Sequence, residues 1–347
     1  MSGYQRPVLT AHPRPASEVH RRSVDMKHLQ ILLSWVIVAG LAMTSEAQAQ
    51  QALVPVKVGV LKIAGLANAY AAKIEKMFER NGLDATLVEF RSGAEATAAQ
   101  QSGAVEFALT IPGTVMTANE RGFEFLAVFQ NEIVHDKGPD SGSVQALVDS
   151  DIKGLKDLVG KRVATSQFNG QTTIAAQFAM RKAGIDPSKI QLIEVPFPRH
   201  PDVLKTRQVD AIITTEPFTT MLLSSGVGRV LSWHYAEAMP GGPLGVWWAK
   251  KSYIEKHPDV VVRFNRSIKE SIDYMNADAP RARQRTVEFT GLDPQLVKEM
   301  PPLRFDYNVR TAKWQQSIDM MVESKVLEKP HKAAEYFSEP LKSYIIE

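Results

Sequence analysis

From Val54 onward, short β-branched runs alternate with helical stretches, and no other feature of this 347-residue sequence narrows its fold as far. Val56–Leu61, Ala85–Phe90, Phe107–Thr110 and Phe125–Phe129 read as strands, with helices at Tyr70–Arg80, Ala94–Ser102 and Thr114–Arg121 between them. Gly82, Gly103 and Gly122 stand where these helices stop, because glycine takes the left-handed backbone that ends a helix without steric cost. Strands that alternate with helices predict βα units and a parallel sheet wrapped on both faces.

Asp136–Ser143, with Gly138, Pro139 and Gly142, breaks the rhythm, and a second alternating set follows. Its strands are Val144–Val148, Arg162–Ala164, Gln191–Val195, Ala211–Thr214 and Arg229–Ser232. Its helices are Thr172–Ala183, Asp202–Arg207 and Pro217–Ser224. Met239–Pro243 is another break, and Gly245–Ala249 reads as a further strand. The rest is helical. Ser252 and Glu255 have capping-box spacing, Pro258 ends that short helix, and Val261, Phe264, Ile268, Ile272 and Met275 share one helical face. Further helices are predicted at Pro280–Thr290 and Thr311–Ser324. Two α/β sets separated by breaks predict two lobes.

The N-terminus reads as a secretory leader. Met26-Lys27-His28 opens a basic region, and an apolar run extends from Leu29 to Met43, interrupted by Gln30 and Ser34. Ala47-Gln48-Ala49 offers small residues at the positions a signal peptidase reads, which predicts cleavage after Ala49 and export to the periplasm. The run falls short of the roughly 20 residues a membrane span needs. Arg21-Arg22 raises a twin-arginine route, against which Asp25 stands; the start codon is Met1 or Met26. Beyond residue 49 the chain carries 36 basic and 35 acidic side chains, so no field draws it toward nucleic acid. It has no cysteine, which removes thiol nucleophiles and Cys-ligated metals together.

Signatures of catalysis are missing: the sequence has no H-E-x-x-H, G-x-S-x-G or Walker loop. His135, His200, His234, His257 and His331 have no metal-ligand spacing. Gly226-Val227-Gly228 lacks the third glycine of a dinucleotide fingerprint and lies at a helix-to-strand turn. No catalytic residue, metal or cofactor is assigned. What recurs is a small-polar or Gly-containing turn after a strand and before a helix. Such turns lie at 62–65, 92–94, 110–114, 166–173 and 215–217. In open α/β sheets, strand C-terminal ends and helix N-termini line the crevice where ligands bind, and free backbone N–H groups there favour anions.

Several segments resemble periplasmic substrate-binding proteins of the nitrate/sulfonate/taurine group, which includes the thiamine-pyrimidine precursor binders (NMT1/THI5-like). Ser92-Gly93-Ala94 with Gly103–Phe107 is similar to the family's loop and G-x-V-D strand entry, with Glu106 for Asp. Asp157–Ala164 is similar to its DLKGKKVA strand. Gln208–Ala211 with Glu216-Pro217 is similar to its G-x-V-D-A…E-P segment, with Arg207 where Gly is usual. The resemblance spans roughly residues 56–327. It implies an α/β fold of two lobes, the type II Venus-flytrap periplasmic-binding-protein fold, with crossings near Asp140–Ser143 and Lys250–Ser252. The lobes would be 50–141 with the helical 251–347, and 142–250, after a leader at 1–49.

Carried over by position, the ligand contacts fall on Lys62, Gly65, Ser92, Gly93, Ala94, Pro112, Gly113, Thr114, Asn169, Gly170, Gln171, Thr172 and Glu216. Phe197 and Arg199, after a strand aimed the same way, add a stacking face and a cation for an acid group. The implied function is capture of a small anionic or aromatic solute by a monomer that serves an ABC permease of the inner membrane. Two alternatives stay open: a pyrimidine-precursor enzyme of the same fold, whose Cys-rich motif this chain lacks, and a periplasmic sensor subunit.

Overall fold

The computed structural model describes residues 52–168 and 170–347; the expected leader and its cleavage site, and Asn169, lie outside them. Ten strands form two five-stranded sheets. In chain order they are β1 (Val54–Leu61), β2 (Leu83–Phe90), β3 (Phe107–Thr110), β4 (Phe125–Ile133), β5 (Gly142–Leu147), β6 (Arg162–Thr165), β7 (Gln191–Glu194), β8 (Ala211–Thr215), β9 (Gly228–Ser232) and β10 (Pro243–Lys250). The first sheet has the order β2-β1-β3-β10-β4, and the second β7-β6-β8-β5-β9.

The expected two α/β sets are present, with one correction to each sheet. β10 runs antiparallel between β3 and β4, and β5 runs antiparallel between β8 and β9. Each of these strands enters its sheet from the junction, at the end where its neighbours finish, so it must run against them; the crossing into β10 holds only the five-residue helix His234–Ala238, too short to carry the chain back along the sheet. β10 thus lies in the first sheet, and the chain has already returned there between β9 and β10, upstream of Lys250–Ser252. Its Pro243–Ala249 stretch is buried residue for residue, with Trp247 and Trp248 fully covered.

This topology sends one set of ends to one place. The C-terminal ends of β1, β2, β3, β4, β6, β8 and β9 and the starts of β5 and β10 all face the junction of the two sheets. The helices that follow these strands open there: α1 (Ala67–Ile74), α2 (Gly93–Ser102), α3 (Pro112–Glu120), α4 (Gln171–Lys182) and α5 (Phe218–Ser224).

The apolar face read at Val261, Phe264, Ile268, Ile272 and Met275 lies on α6 (Pro258–Asn276) and is buried against the first sheet. The Phe264 and Phe107 rings stack with centroids 3.9 Å apart, and each such side chain contributes about 1.5–3 kcal/mol by burial. A second cluster joins Val115 and Met116 of α3 to Ile174 and Ala175 of α4 and to Trp314, Ile318 and Met321 of α7 (Thr311–Glu323). It clamps the two lobes behind the strand ends.

Two local expectations change. The helix read at Tyr70–Arg80 is two helices, Ala67–Ile74 and Met77–Arg80, split where Lys76 takes φ 56°. Ser252 caps nothing: its helix begins one residue earlier, at Lys251. Pro258 then opens α6 at its first turn, where a missing N–H costs nothing.

Candidate functional site

Three helix N-termini meet at the junction. Ser92 caps α2 by accepting the Glu95 N–H at 3.2 Å, and Gly93 has no room for a large side chain, since a Cβ there would sit 3.3 Å from Thr110 Cγ2. Pro112 and Gly113 are buried in the first turn of α3, and Gly113 donates its N–H to Gln171 Oε1 at 3.2 Å. Gln171 in turn donates to the Pro243 carbonyl at 3.3 Å. One buried amide of α4 thereby joins the first lobe's helix to the start of β10. Thr172 shares a hydrogen bond with the Tyr235 hydroxyl at 2.5 Å, both side chains buried. Gly170 precedes these residues as the N-cap of α4. Ala94 and Thr114 stand on the same turns, Ala94 exposed and Thr114 half-buried.

Just before its last residue, Ile133, β4 carries three consecutive polar residues within an apolar strand. Gln130 donates to the Asp306 and Asn308 carbonyls at 3.1 and 2.6 Å and accepts from the Trp314 indole at 2.7 Å. Asn131 donates to the Gly65 carbonyl at 3.0 Å and accepts from Asn68 and Trp247 at 2.7 and 3.0 Å. Glu132, though buried, has no side-chain hydrogen bond among the described residues. Its Oε2 lies 2.5 Å from where a Cβ on Gly65 would sit, so the carboxyl packs directly on the glycine turn.

Asp140 and Glu216 complete an acidic group. Asp140, buried in the crossing to β5, accepts the Ser141 N–H through Oδ1 at 2.7 Å, and its Oδ2 has no partner among the described residues. Glu216, at the end of β8, donates its backbone N–H to the Ser141 carbonyl at 2.7 Å. Its carboxylate accepts the Thr220 hydroxyl and N–H at 2.8 and 3.2 Å. Burial, with Asp140 beside it, pushes the Glu132 carboxyl up to about 8. Burial likewise pushes Glu216 up to about 7 against the pull of Thr220, and raises Asp140. His234 lies alongside: its Cε1 is 2.8 Å from a Cβ position on Gly142, both ring nitrogens lack partners among the described residues, and burial holds its pKa at about 3.

The residues expected to bind ligand therefore fall into two groups. Gly65, Gly93, Pro112, Gly113, Gly170, Gln171, Thr172 and Glu216 occupy buried or half-buried strand-end turns. The two cations expected to meet an anion are exposed. Lys62 pairs with Glu89 at 3.3 Å and stands 5.9 Å from the Phe289 ring. Arg199 is exposed in a single 3-10 turn, beside a half-buried Phe197 whose ring lies 6.4 Å from that of Phe218. Glu132, Asp140, His234 and Tyr235 escaped sequence reading, and the Gln130-Asn131-Glu132 run inside an apolar strand was the visible sign.

The family model described as NMT1/THI5 like matches residues 64–282. The taurine-binding periplasmic protein of Escherichia coli K12 is 30% identical over 128 residues, which cover 36% of this chain and 39% of that protein. The chain thus matches well under half the length of that relative. A putative binding protein of Bacillus subtilis 168 is 21% identical over 233 residues, 66% of this chain and 69% of that one. Among solved structures, the periplasmic aliphatic sulphonate binding protein of Escherichia coli superposes with TM-score 0.68 at 19% identity, over 83% of this chain and 98% of that one. The ligand binding component of an ABC-type import system from Staphylococcus aureus gives 0.71 at 17%, over 84% and 98%. At such identity these structures establish the fold alone: the two-lobed periplasmic-binding-protein architecture.

Proposed function

The chain belongs to the NMT1/THI5-like family, and from that premise we propose that it is the solute-binding component of an ABC importer. It works in the periplasm as a monomer, closes its lobes around one small solute and hands it to a membrane permease, making and breaking no bond. The proposed lobes are residues 50–141 with 243–347, and 142–242, once β10 is counted with the sheet it pairs into. Hinge closure of this kind brings donors from both lobes onto one ligand.

The observation that carries this reading is the meeting of the α3 and α4 N-terminal turns across the junction, held by Gln171 on Gly113. Backbone N–H groups of those turns, with Ser92, Thr114 and Thr172, suit an acidic head group such as a sulfonate or carboxylate. The names of the relatives point the same way, toward sulphonate and taurine binding. Native mass spectrometry of freshly purified mature protein should find a small molecule bound one to one, and small-angle scattering should show a smaller radius of gyration with it than without. A protein that carries no molecule, and whose radius no candidate solute changes, is not a solute-binding component.

A further inference from the structure

Away from the junction, the first lobe holds a separate recess of about 180 Å³. It lies between the helices Ala279–Thr290 and Pro294–Glu299, the end of α6 and residues 301–305. Its floor is apolar and buried: Ala64, Met275, Val297, Met300 and Phe305 are each no more than 6% exposed. None of the residues placed at the junction lines it, although Ala64 adjoins Gly65.

Protein interiors leave few voids larger than a water molecule, and this one suits water badly. A buried water needs roughly two to four polar partners, and the polar side chains here are already engaged. Thr286 donates its hydroxyl to the Ala282 carbonyl at 2.9 Å, and Asn276 donates its amide to the Phe305 carbonyl at 3.0 Å. The rim differs from the floor, because Arg283 stands there exposed. Of the three arginines on the helix Ala279–Thr290, it is the one with no ion pair or side-chain hydrogen bond among the described residues. Arg281 donates to the Tyr274 carbonyl and lies 3.8 Å from the Tyr274 ring, and Arg285 pairs with Glu75 and Glu288 at 2.5 and 2.7 Å. An apolar hollow with one free guanidinium at its mouth matches a molecule that is apolar at one end and anionic at the other. The volume sets the size, since an apolar cavity of about 150 Å³ takes a benzene ring.

We infer that this recess is a second binding site, for a small apolar monocarboxylate of the size of benzoate. The ring fills the floor and gains by leaving water, and the carboxylate accepts parallel N–H bonds from the planar Arg283 guanidinium. The site is independent of the solute-binding reading, yet its walls belong to elements that frame the junction. Ala64 opens the turn that carries Gly65, and Val297 stands on the helix whose Glu299 accepts the Ser224 hydroxyl at the end of α5.

Calorimetric titration of the mature protein with benzoate and with benzyl alcohol should show the acid bound at least about tenfold more tightly. Arg283→Gln should remove that preference and leave the melting temperature in place, because the side chain is exposed. Ala282→Phe, on the half-buried wall, should fill the recess and weaken both ligands; if it does not fold, Arg283→Gln carries the test alone. In crystals soaked with 4-bromobenzoate, anomalous scattering from bromine should lie among Met275, Met300 and Phe305. No binding of benzoate, equal binding of the acid and the alcohol, or a preference that survives Arg283→Gln would each overturn the inference. Bromine found at the junction would overturn it too, while leaving the solute-binding reading intact.

Discussion

Glu132 Oε2 lies 2.5 Å from the point where a β-carbon on Gly65 would stand, so the carboxyl occupies the space that a side chain at residue 65 would take. The Gly65 carbonyl is held from the other side by Asn131 at 3.0 Å. The turn is therefore held in place, and a methyl group at residue 65 would have to displace the Glu132 carboxyl.

Gly65→Ala should move that carboxyl. Overpacking a buried site costs about 1–3 kcal/mol where its neighbours cannot move; here the displaced group is a side-chain tip, so thermal denaturation should show a fall toward the lower end of that range. Affinity for the solute should fall as well. A variant as stable as wild type with unchanged affinity would mean that the Glu132 side chain swings aside freely and does not contribute to binding.

The Tyr235 hydroxyl and Thr172 Oγ1, 2.5 Å apart and buried, fasten the start of α4 to the crossing into β10. Tyr235→Phe or Thr172→Val should each cost about 1–3 kcal/mol in urea unfolding, because each strands the other's hydroxyl. The double variant should cost less than the sum of the two. Strict additivity would show that the two hydroxyls are satisfied independently.

Much of this was legible in the residues. The strand–helix alternation located the βα units, and the glycine at the end of each marked its stop. Helix Ala67–Ile74 ends early because Lys76 adopts a left-handed backbone, which a lysine does not announce in sequence. β10 was readable as a strand but not placeable. A run such as Leu244–Ala249, apolar on both faces, says that it is buried without saying between which neighbours. The acidic group was legible only at Glu216, through its Glu-Pro context. Asp140 stood in a Gly/Pro break that reads as exposed loop, and its burial comes from β5 and β8 closing over it, a long-range pairing. Lys62 and Arg199 are both exposed: a basic residue near a strand end reads as cleft-facing, while a long flexible side chain reaches solvent just as easily.

Arg199 separates the anion reading from stability. The side chain is exposed, so Arg199→Ala should leave the free protein's melting temperature within the range of surface substitutions, about 0.5 kcal/mol. If Arg199 closes onto the acidic head of the solute, the same change should weaken binding at least about tenfold. Equal affinities would return it to the surface and leave the helix N-termini to hold the head group.

Export is tested separately. Expressed with its own leader in a Gram-negative host, the protein should be recovered from the periplasm with Gln50 as its first residue, since Ala47-Gln48-Ala49 is the cleavage signal. N-terminal sequencing that still reads Leu29–Met43 on the periplasmic protein would remove the cleavable leader.

The stability of the free protein should be bounded on both sides by groups of the junction and its neighbours. Glu132 and Glu216 stand at about 8 and about 7 in the fold against the ordinary 4.5. A carboxyl raised by folding binds more protons in the native state than in the unfolded one, so its contribution is complete below about pH 4.5 and is lost as pH rises through 7 and 8. His234 and His200 run the opposite way. Burial holds them at about 3 and about 4 against the ordinary 6.5, so they stabilise the fold above about pH 6.5 and cease to do so as pH falls. Melting temperature against pH should therefore decline on both sides of a maximum, and Glu132→Gln should flatten the alkaline limb while leaving the acid limb in place.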